Sequence, residues 1–232
     1  MTKNFYITTP IYYPSAKPHM GHAYSSIVSD FFARFKRLDG YKVYFLTGTD
    51  EHGLKIQRAA EKKDMEPLLF CNQISKTFMD LSKALNLSNS DFIRTTEKRH
   101  IKSVQNLWNI LERKDEIYLS KYSGWYSVSD EAFYSDEEID EQNGIKIAIN
   151  SGSNVEWVEE ESYFFKLSKW QNKLLKFYEE NPNFILPISR KNEVISFVKS
   201  GLKDLSVSRK SLSWGIKVPS NNKHVIYVWL DA

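Results

Sequence analysis

Short apolar runs alternate along the chain with stretches in which apolar residues recur every three or four positions. Residues 5–7 and 43–46 form two such runs, and apolar residues at helical spacing occupy residues 21–38 between them. Runs that are apolar on both faces are typical of strands inside a parallel sheet. Strand, helix and strand in this order predict one right-handed crossover unit, the building block of a parallel α/β sheet.

The helix predicted over residues 21–38 concentrates its apolar side chains on one stripe, so we expect that stripe to pack against the sheet. The stripe consists of Ala23, Ile27, Val28, Phe31, Phe32, Phe35 and Leu38. Further helical patterns cover residues 56–60, 67–85 and 96–111. A third strand is predicted at residues 91–95, which continues the alternation of strand and helix.

The second half of the chain has a different character. Between residues 116 and 190, strand-like runs alternate with turn signals such as Asn143–Gly144, a favoured hairpin turn, and an amphipathic helical pattern covers residues 167–178. Residues 192–202 predict a short helix. The apolar run over residues 224–230 predicts a central strand of the sheet.

These changes of pattern predict three segments. Residues 1–115 form the first half of a sheet domain, residues 116–190 form an α+β insert, and residues 191–232 return to the sheet domain. A chain of 232 residues with 41% hydrophobic residues is long enough for one large domain that carries such an insert.

Composition and charge exclude some classes of protein. The net charge of +3, from 32 basic and 29 acidic residues, is too small to indicate nucleic-acid binding by itself. The single cysteine, Cys71, excludes a disulfide framework within the chain and fits a reducing cytoplasm. No apolar run is long enough to cross a bilayer, so we expect no membrane association.

The turn between the first strand and the first helix carries the strongest candidate chemistry. Residues 10–22 contain three prolines and two histidines, and His19 and His22 bracket the predicted helix start. A loop from a strand into a helix N-terminus aims backbone N–H groups and the helix dipole at a phosphate. Gly21 would let a nucleotide approach the backbone closely. Two alternatives remain: histidines satisfied within the loop, and a zinc pair, for which further ligands are missing nearby.

Asp50 follows the second predicted strand, at the edge where open parallel sheets bind their ligands. Its carboxylate suits a substrate ammonium group, but a helical pattern follows, which makes a helix N-cap an equal alternative. Capping or metal roles for Glu51 and His52 stay open. Cys71 fits a small core residue, and His100 stands apart from any cluster in the sequence.

These same stretches resemble a known family. Residues 10–13 (Pro-Ile-Tyr-Tyr) and 18–22 (Pro-His-Met-Gly-His) resemble the His-x-Gly-His signature of class I aminoacyl-tRNA synthetases, and their flanks resemble the methionine-specific members. Further stretches match in the same order, at residues 45–53, 204–209, 214–216 and 227–232. Because several motifs recur in order along the chain, the resemblance is more specific than the histidine motif alone.

The resemblance implies a Rossmann-like nucleotide-binding domain, incomplete in this sequence, whose insert is an α+β connective-peptide subdomain. It implies a ligase that activates methionine with ATP to methionyl-adenylate and transfers it to tRNA(Met). Magnesium is expected with the ATP, and a cytoplasmic monomer is expected. Relatives continue into a second signature loop and an anticodon-binding domain, so we expect this chain to be a fragment with little or no activity alone.

The resemblance also implies roles for single residues, with His19, His22, Asp50 and Arg209 as the expected catalytic set. The two histidines contact the ATP phosphates, and Gly21 underlies the adenine. Asp50 holds the ammonium group of methionine, and Arg209 lies near its carboxylate. Other residues complete the two sites: Tyr12 for the nucleotide, and Pro10, Ile11, Tyr13, Trp229 and Ala232 for methionine.

The insert of metal-containing family members carries cysteine pairs. Here Ser127 and Asp130 stand at the ends of the corresponding stretch, and with one cysteine in the chain we expect no structural zinc. Two other functions compete with the ligase. One is a small nucleotidyltransferase that uses the same histidine turn, and the other is a non-catalytic module that binds methionine or a partner chain.

Overall fold

A computed structural model describes residues 3–130, 132–142 and 144–232. The first half of the chain is built on three parallel strands, β1 (Asn4–Thr8), β2 (Lys42–Thr49) and β3 (Asp91–Arg94), which are hydrogen-bonded in the order β1–β2–β3. Four helices accompany these strands: α1 (Met20–Leu38), α2 (Leu54–Glu61), α3 (Pro67–Ala84) and α4 (Lys98–Arg113). The predicted α/β fold with a parallel sheet is confirmed.

The apolar stripe of α1 does not face the sheet, so that prediction was wrong. Phe31 is 62% exposed and Phe35 is 51% exposed, whereas the buried face of α1 consists of Ser26, Asp30 and Ala33. Small side chains let the helix backbone approach the sheet closely. Asp30 is stabilised there because its Oδ1 accepts the backbone N–H of Ser88, in the loop between α3 and β3, at 2.7 Å.

The insert is mainly antiparallel. It contains β4 (Ile117–Ser127), β5 (Ala132–Tyr134), β6 (Ile139–Gln142), β7 (Ile145–Ala148) and β8 (Glu156–Phe165), followed by α5 (Gln171–Glu180) and α6 (Ile188–Lys199). A four-stranded sheet runs in the order β5–β4–β8–β9, in which β9 (Leu205–Ser206) comes from beyond residue 190. The domain boundaries near residues 115 and 190 therefore stay predictions.

The hairpin of β6 and β7 is antiparallel, and Gly144 between these strands has a φ of +79°. This left-handed conformation favours glycine. Asn143, the other residue of the predicted turn, lies outside the described residues.

The last segment differs from the prediction. Three short strands, β10 (Ser208–Arg209), β11 (Lys217–Val218) and β12 (Asn221–Ile226), form an antiparallel sheet in the order β10–β12–β11, and a single helical turn follows as α7 (Val228–Asp231). The predicted strand over residues 224–230 is thus confirmed for residues 224–226, whereas its continuation and its place in the parallel sheet were wrong. Pairing ends at Tyr227, whose N–H donates to Val207 O while its carbonyl accepts the first bond of the helical turn.

Among the described residues, two of the three hydrophobic clusters join these layers. One lies between the turn after β1 and helices α2 and α3, and includes Tyr12, Ile56, Phe70 and Phe78. The other joins α4 to the antiparallel strands around Trp108, which is fully buried. Among the described residues, no helix is long and apolar enough to cross a membrane.

Candidate functional site

The turn that follows β1 lies along the carboxyl end of β2. Tyr12 N–H donates to Gly48 O at 2.8 Å, and Asp50 N–H donates to Tyr12 O at 2.9 Å. These bonds continue the parallel pairing of β1 with β2 beyond the last residue of β1. The turn and the residue after β2 are therefore held side by side at the edge where parallel sheets bind ligands.

Gly48 brings β3 close to the same edge. A Cβ at this position would lie 2.0 Å from the carbonyl oxygen of Ile93, a backbone atom that has no room to move away. Only glycine fits here without shifting β2 away from β3. The close approach supports the backbone on which Asp50 stands, two residues further on.

The two tyrosines of the turn have different surroundings. Tyr12 is buried, its hydroxyl lies 2.8 Å from Ser26 Oγ, and its ring stacks on Phe78. Tyr13 is only partly buried, and its hydroxyl donates to His52 O at 3.0 Å. Tyr12 thus anchors the turn to α1 and α3, while Tyr13 bridges the turn to the loop that follows β2.

His19 and His22 cap the start of α1. Nδ1 of His19 accepts the N–H of Gly21 at 3.1 Å, and Nδ1 of His22 accepts the N–H of His19 at 3.1 Å. The two rings lie 3.9 Å apart between centroids. Burial, and then the neighbouring His19, lower the pKa of His22, which favours a neutral ring there.

The capping bonds fix the tautomer of these histidines. A ring nitrogen that accepts a hydrogen bond carries no proton, so the proton of each neutral ring is on Nε2. Each Nε2–H is then left as a donor for another acceptor. A phosphate oxygen is a suitable acceptor, because the N-terminus of a 19-residue helix also favours negative charge.

Gly21 is part of this helix cap, because its N–H donates to the ring of His19. A Cβ at Gly21 would lie 3.0 Å from Cε1 of His19. A side chain there would therefore press on the ring that accepts the Gly21 N–H. Glycine leaves this ring undisturbed, and its predicted place under the adenine stays a prediction.

Asp50 is 7% exposed and does not cap a helix, so the capping alternative was wrong. Helix α2 begins at Leu54 with Gly53 as its N-cap, and no side chain caps it. Asp50 instead lines a cleft beside the end of the chain. The other residues of that cleft are His52, Gly53, Leu212, Trp214, Val225, Ile226, Tyr227, Val228 and Asp231.

Glu51, next to Asp50, is fully buried, and the sequence had left a capping or metal role open for it without indicating an ion pair. Its carboxylate accepts Arg94 Nε at 2.6 Å and Arg94 Nη2 at 2.9 Å, and Ser75 Oγ donates to it at 2.5 Å. Burial alone would raise the pKa of Glu51, but these hydrogen bonds hold it below its ordinary value. The buried ion pair fixes the backbone on which Asp50 stands.

Arg209 is 4% exposed and packs between rings. Its guanidinium lies 3.7 Å from the centroid of Tyr227 and 4.9 Å from that of Phe133. Its Nη1 donates to Ser206 Oγ at 2.5 Å, and its Nε lies 3.8 Å from Glu160 Oε1. These contacts bring Arg209 to the cleft wall through Tyr227, and none of them is to Asp50.

The other predicted methionine-site residues lie at different places. Trp229 is on α7 and is 62% exposed, and Ala232 caps the end of that helical turn. Pro10 is exposed, and Ile11 is partly buried in the turn after β1. The cleft that contains Asp50 is lined by none of these four residues. Their pocket roles stay predictions.

His100 is not isolated, contrary to expectation. Its Nε2 lies 2.6 Å from the backbone oxygen of Asp231, and Asp231 Oδ2 lies 2.6 Å from His52 Nδ1. Sequence reasoning missed this cluster because Asp231 is 131 residues from His100 and 179 residues from His52. No local pattern signals such a long-range contact.

In the described part of the chain, no group of three or more histidine, cysteine, aspartate or glutamate side chains could hold a metal ion. In the insert, at the stretch that corresponds to the cysteine pairs of metal-containing family members, Asp130 accepts the hydroxyls of Tyr134, Ser151 and Ser153 at 2.7, 2.6 and 2.9 Å. Its N–H donates to Ser127 Oγ at 3.3 Å. A network of hydroxyl groups around one carboxylate therefore occupies this position.

Comparison with known proteins identifies the class of the chain. The family model described as "tRNA synthetases class I (M)" matches residues 5–232, and the chain belongs to that family. Two curated relatives of the chain are methionine–tRNA ligases. Methionine–tRNA ligase of Rickettsia bellii is 60% identical over 232 residues, and that of Rhizobium meliloti is 56% identical over the same length.

The most informative structural match carries a ligand. The methionyl-tRNA synthetase of Mycobacterium tuberculosis, in a structure described as a complex with methionyl-adenylate, superposes with a TM-score of 0.96 at 49% sequence identity over 99% of this chain. The chain spans 45% of the length of that protein, and 45% of the length of both curated relatives.

Proposed function

We propose that this chain supplies the amino-acid activation site of a methionine–tRNA ligase. In the proposed reaction, methionine and ATP react to methionyl-adenylate and pyrophosphate, and the whole protein then transfers the methionyl group to tRNA(Met). The observation that carries the proposal is the bond from Asp50 N–H to Tyr12 O. This bond holds the predicted ammonium site beside the histidine turn that is predicted to bind phosphate. Relatives of 56–60% identity with this name support it.

The histidine turn is the proposed phosphate site. The Nε2–H groups of His19 and His22 donate to phosphate oxygens of ATP, and the N-terminus of α1 adds its dipole. As charge builds up on the phosphate in the transition state, such hydrogen bonds strengthen, and bonds to charged groups contribute roughly 1.5–3 kcal/mol each. The neutral imidazoles of His19 and His22 thus donate hydrogen bonds to the phosphate without bringing a full positive charge.

The other end of the site is proposed to hold methionine. Asp50 pairs with the ammonium group, while Arg209 acts near the carboxylate. The side chain of methionine lies among the aromatic and apolar groups predicted for it: Pro10, Ile11, Tyr13, Trp229 and Ala232. Contacts of sulfur with aromatic rings add roughly 0.3–1.5 kcal/mol each, which helps to reject leucine.

In the proposed step, a carboxylate oxygen of methionine attacks the α-phosphorus of ATP. The new O–P bond forms while the bond to pyrophosphate breaks, so no residue of the chain needs to become a covalent intermediate. The contribution of the protein is to align the two substrates and to stabilise the charge that develops on the phosphate.

The proposed function also involves a metal ion and a tRNA partner. Magnesium is proposed to come with ATP, as the membership in the class I synthetase family implies. We also propose tRNA(Met) as partner of the whole protein, a metal-free insert over residues 116–190, and a cytoplasmic monomer. The single cysteine is the support for the cytoplasm.

Binding tests this proposal more directly than turnover, since the chain spans 45% of the length of its relatives. We would titrate the protein calorimetrically with a non-hydrolysable analogue of methionyl-adenylate and with the matching leucyl analogue. The methionyl analogue is expected to bind at least tenfold more tightly. Equal binding of the two analogues would contradict methionine as the substrate, and binding of neither would contradict the activation site.

A further inference from the structure

Three side chains from distant parts of the chain meet beside the cleft that contains Asp50, and two of them, His52 and Asp231, line it. Asp231 of α7 is 2% exposed, and its Oδ2 lies 2.6 Å from Nδ1 of His52. Its Oδ1 and its backbone oxygen lie 3.2 and 2.6 Å from Nε2 of His100. Because His52 follows β2 and His100 belongs to α4, one carboxylate joins three separate elements.

The positions of the protons follow from these contacts. A carbonyl oxygen only accepts hydrogen bonds, so His100 carries a proton on Nε2. Burial alone would raise the pKa of Asp231, but the hydrogen bonds from His100 and His52 lower it below its ordinary value. The carboxylate is therefore ionised, and His52 donates to it from Nδ1. Both imidazoles are donors, and Asp231 is their shared acceptor.

Asp231 ties the last helical turn to the loop after β2 and to α4. Helix α7 (Val228–Asp231) has four residues, too few to be stable through its own hydrogen bonds. It carries Trp229, and Ala232 follows it directly. Val228 and Leu230 pack against hydrophobic clusters, and the two imidazole bonds at Asp231 hold the end of the turn next to Ala232.

We propose that Asp231, held by His52 and His100, is a positioning residue for methionine binding, and that His100 makes this binding depend on pH. The inference rests on the proposed function, because it takes Asp50 as the site of the methionine ammonium group. Asp231 itself touches no substrate and acts through Trp229 and Ala232.

The sign of the pH dependence follows from the charges that face His100. Burial would lower the pKa of His100, but hydrogen bonds from its ring to Asp231, together with the negative charges of Asp231 and Asp50, raise it above its ordinary value of 6.5. His52 faces Asp231 from the loop after β2. An ammonium group at Asp50 cancels one of these negative charges, so methionine binding lowers the pKa of His100 and releases a proton. Affinity for methionine should therefore fall as the pH falls through this pKa.

Three variants separate positioning from folding. Asp231→Asn keeps the shape but removes the negative charge and replaces one acceptor oxygen by a donor, so one imidazole loses its carboxylate acceptor, while the backbone oxygen that faces His100 is kept. His100→Gln keeps an N–H donor for Asp231 but does not titrate. Asp80→Asn is the matched control, because Asp80 is half-exposed on α3 and pairs only within its own helix, with Lys76 and Lys83 among the described residues.

The experiment is calorimetric titration with methionine between pH 6 and 8, in two buffers of different ionisation enthalpy to count released protons. Asp231→Asn should weaken binding about tenfold at each pH, the loss expected when one charge-assisted hydrogen bond is broken. His100→Gln should bind like wild type at pH 8 but show a flat pH profile and no proton release. Asp80→Asn should match wild type throughout.

Wild-type affinity in Asp231→Asn, or an unchanged pH profile in His100→Gln, would overturn the inference. If Asp231→Asn does not fold, the pH profile of His100→Gln decides alone. If wild type binds no methionine, the proposed function fails, and the contact itself is then tested by ¹⁵N NMR of the histidine rings. A pKa of His100 that is the same in Asp231→Asn and wild type would overturn the contact as well.

Discussion

His19 and His22 together cap the first turn of α1. The ring of His19 accepts the N–H of Gly21, and the ring of His22 accepts the N–H of His19. Because both rings use Nδ1 for the backbone, both keep Nε2–H for a ligand. The same two side chains therefore start the helix and form the proposed phosphate site. Substitutions that preserve only one of these tasks can separate them.

Asparagine at position 19 should preserve the cap and remove the ligand donor. Asparagine is among the best N-cap residues, whereas alanine at an N-cap costs about 1 kcal/mol. We expect His19→Asn to have the same urea midpoint of unfolding as wild type. His19→Ala should lose about 1 kcal/mol of unfolding free energy. Both variants should bind the methionyl-adenylate analogue more weakly. An alanine variant as stable as wild type would show that the cap contributes nothing.

Glu51→Gln should destabilise the fold strongly. The substitution leaves the Arg94 guanidinium, 18% exposed, without its anionic partner, and breaking such a buried pair costs about 3–5 kcal/mol. Urea unfolding at pH 7 measures this loss. The exposed pair of Lys76 and Asp80 provides the control, since Asp80→Asn should leave stability unchanged.

The same carboxylate predicts how wild-type stability depends on pH. The pKa of Glu51 is lowered in the folded state from its ordinary value of 4.5, so its contribution is complete above that value. It is lost as the pH falls through the lowered pKa. Below pH 4.5, the melting temperature should therefore fall more steeply with falling pH for wild type than for Glu51→Gln. Parallel curves would show that Glu51 is not ionised in the folded protein.

Chelation should not affect the insert, because hydroxyl groups around Asp130 replace a metal knuckle. We expect no zinc by elemental analysis and the same melting temperature with and without EDTA. Asp130→Ala removes the acceptor of three hydroxyl groups, so it should lose roughly 1–3 kcal/mol and become easier to cleave by protease within residues 127–153. Stoichiometric zinc in purified protein would contradict this account.

The exposed stripe of α1 predicts an unusual order of mutational effects. Phe31, at 62% exposure, should tolerate glutamine with a change of stability within about 0.5 kcal/mol. Ala33, at 0% exposure, should lose about 1–3 kcal/mol on substitution by glutamine, because the close packing has no room for it. Urea unfolding of both variants checks the order. A larger loss at Phe31 would place the apolar stripe against the sheet after all.

This helix shows what sequence patterns can and cannot predict. The spacing of Ile27, Phe31 and Phe35 correctly predicted a helix with one apolar face, because periodicity reports local geometry. It did not report which face the sheet covers, since that depends on partners distant in sequence. Asp30 is buried because it meets Ser88, 58 residues away, and no local signal marks that contact.

The candidate site divides in the same way. The histidine turn and Asp50 were predictable because strand, loop and helix start follow each other directly in the sequence. The joint position of His52, His100 and Asp231 was not, because it depends on long-range packing. The run over residues 224–230 was misassigned because a short apolar run does not distinguish a strand from a buried strand end followed by a helical turn.

The most direct test of the account is a crystal structure of the protein with the methionyl-adenylate analogue bound. We predict that Nε2 of His19 or His22 lies within hydrogen-bond distance of the phosphate or of the atoms that replace it. We also predict that the carboxylate of Asp50 lies within hydrogen-bond distance of the ammonium group of the same molecule. An analogue bound with its ammonium group away from Asp50, or with its phosphate end away from both imidazoles, would contradict the account.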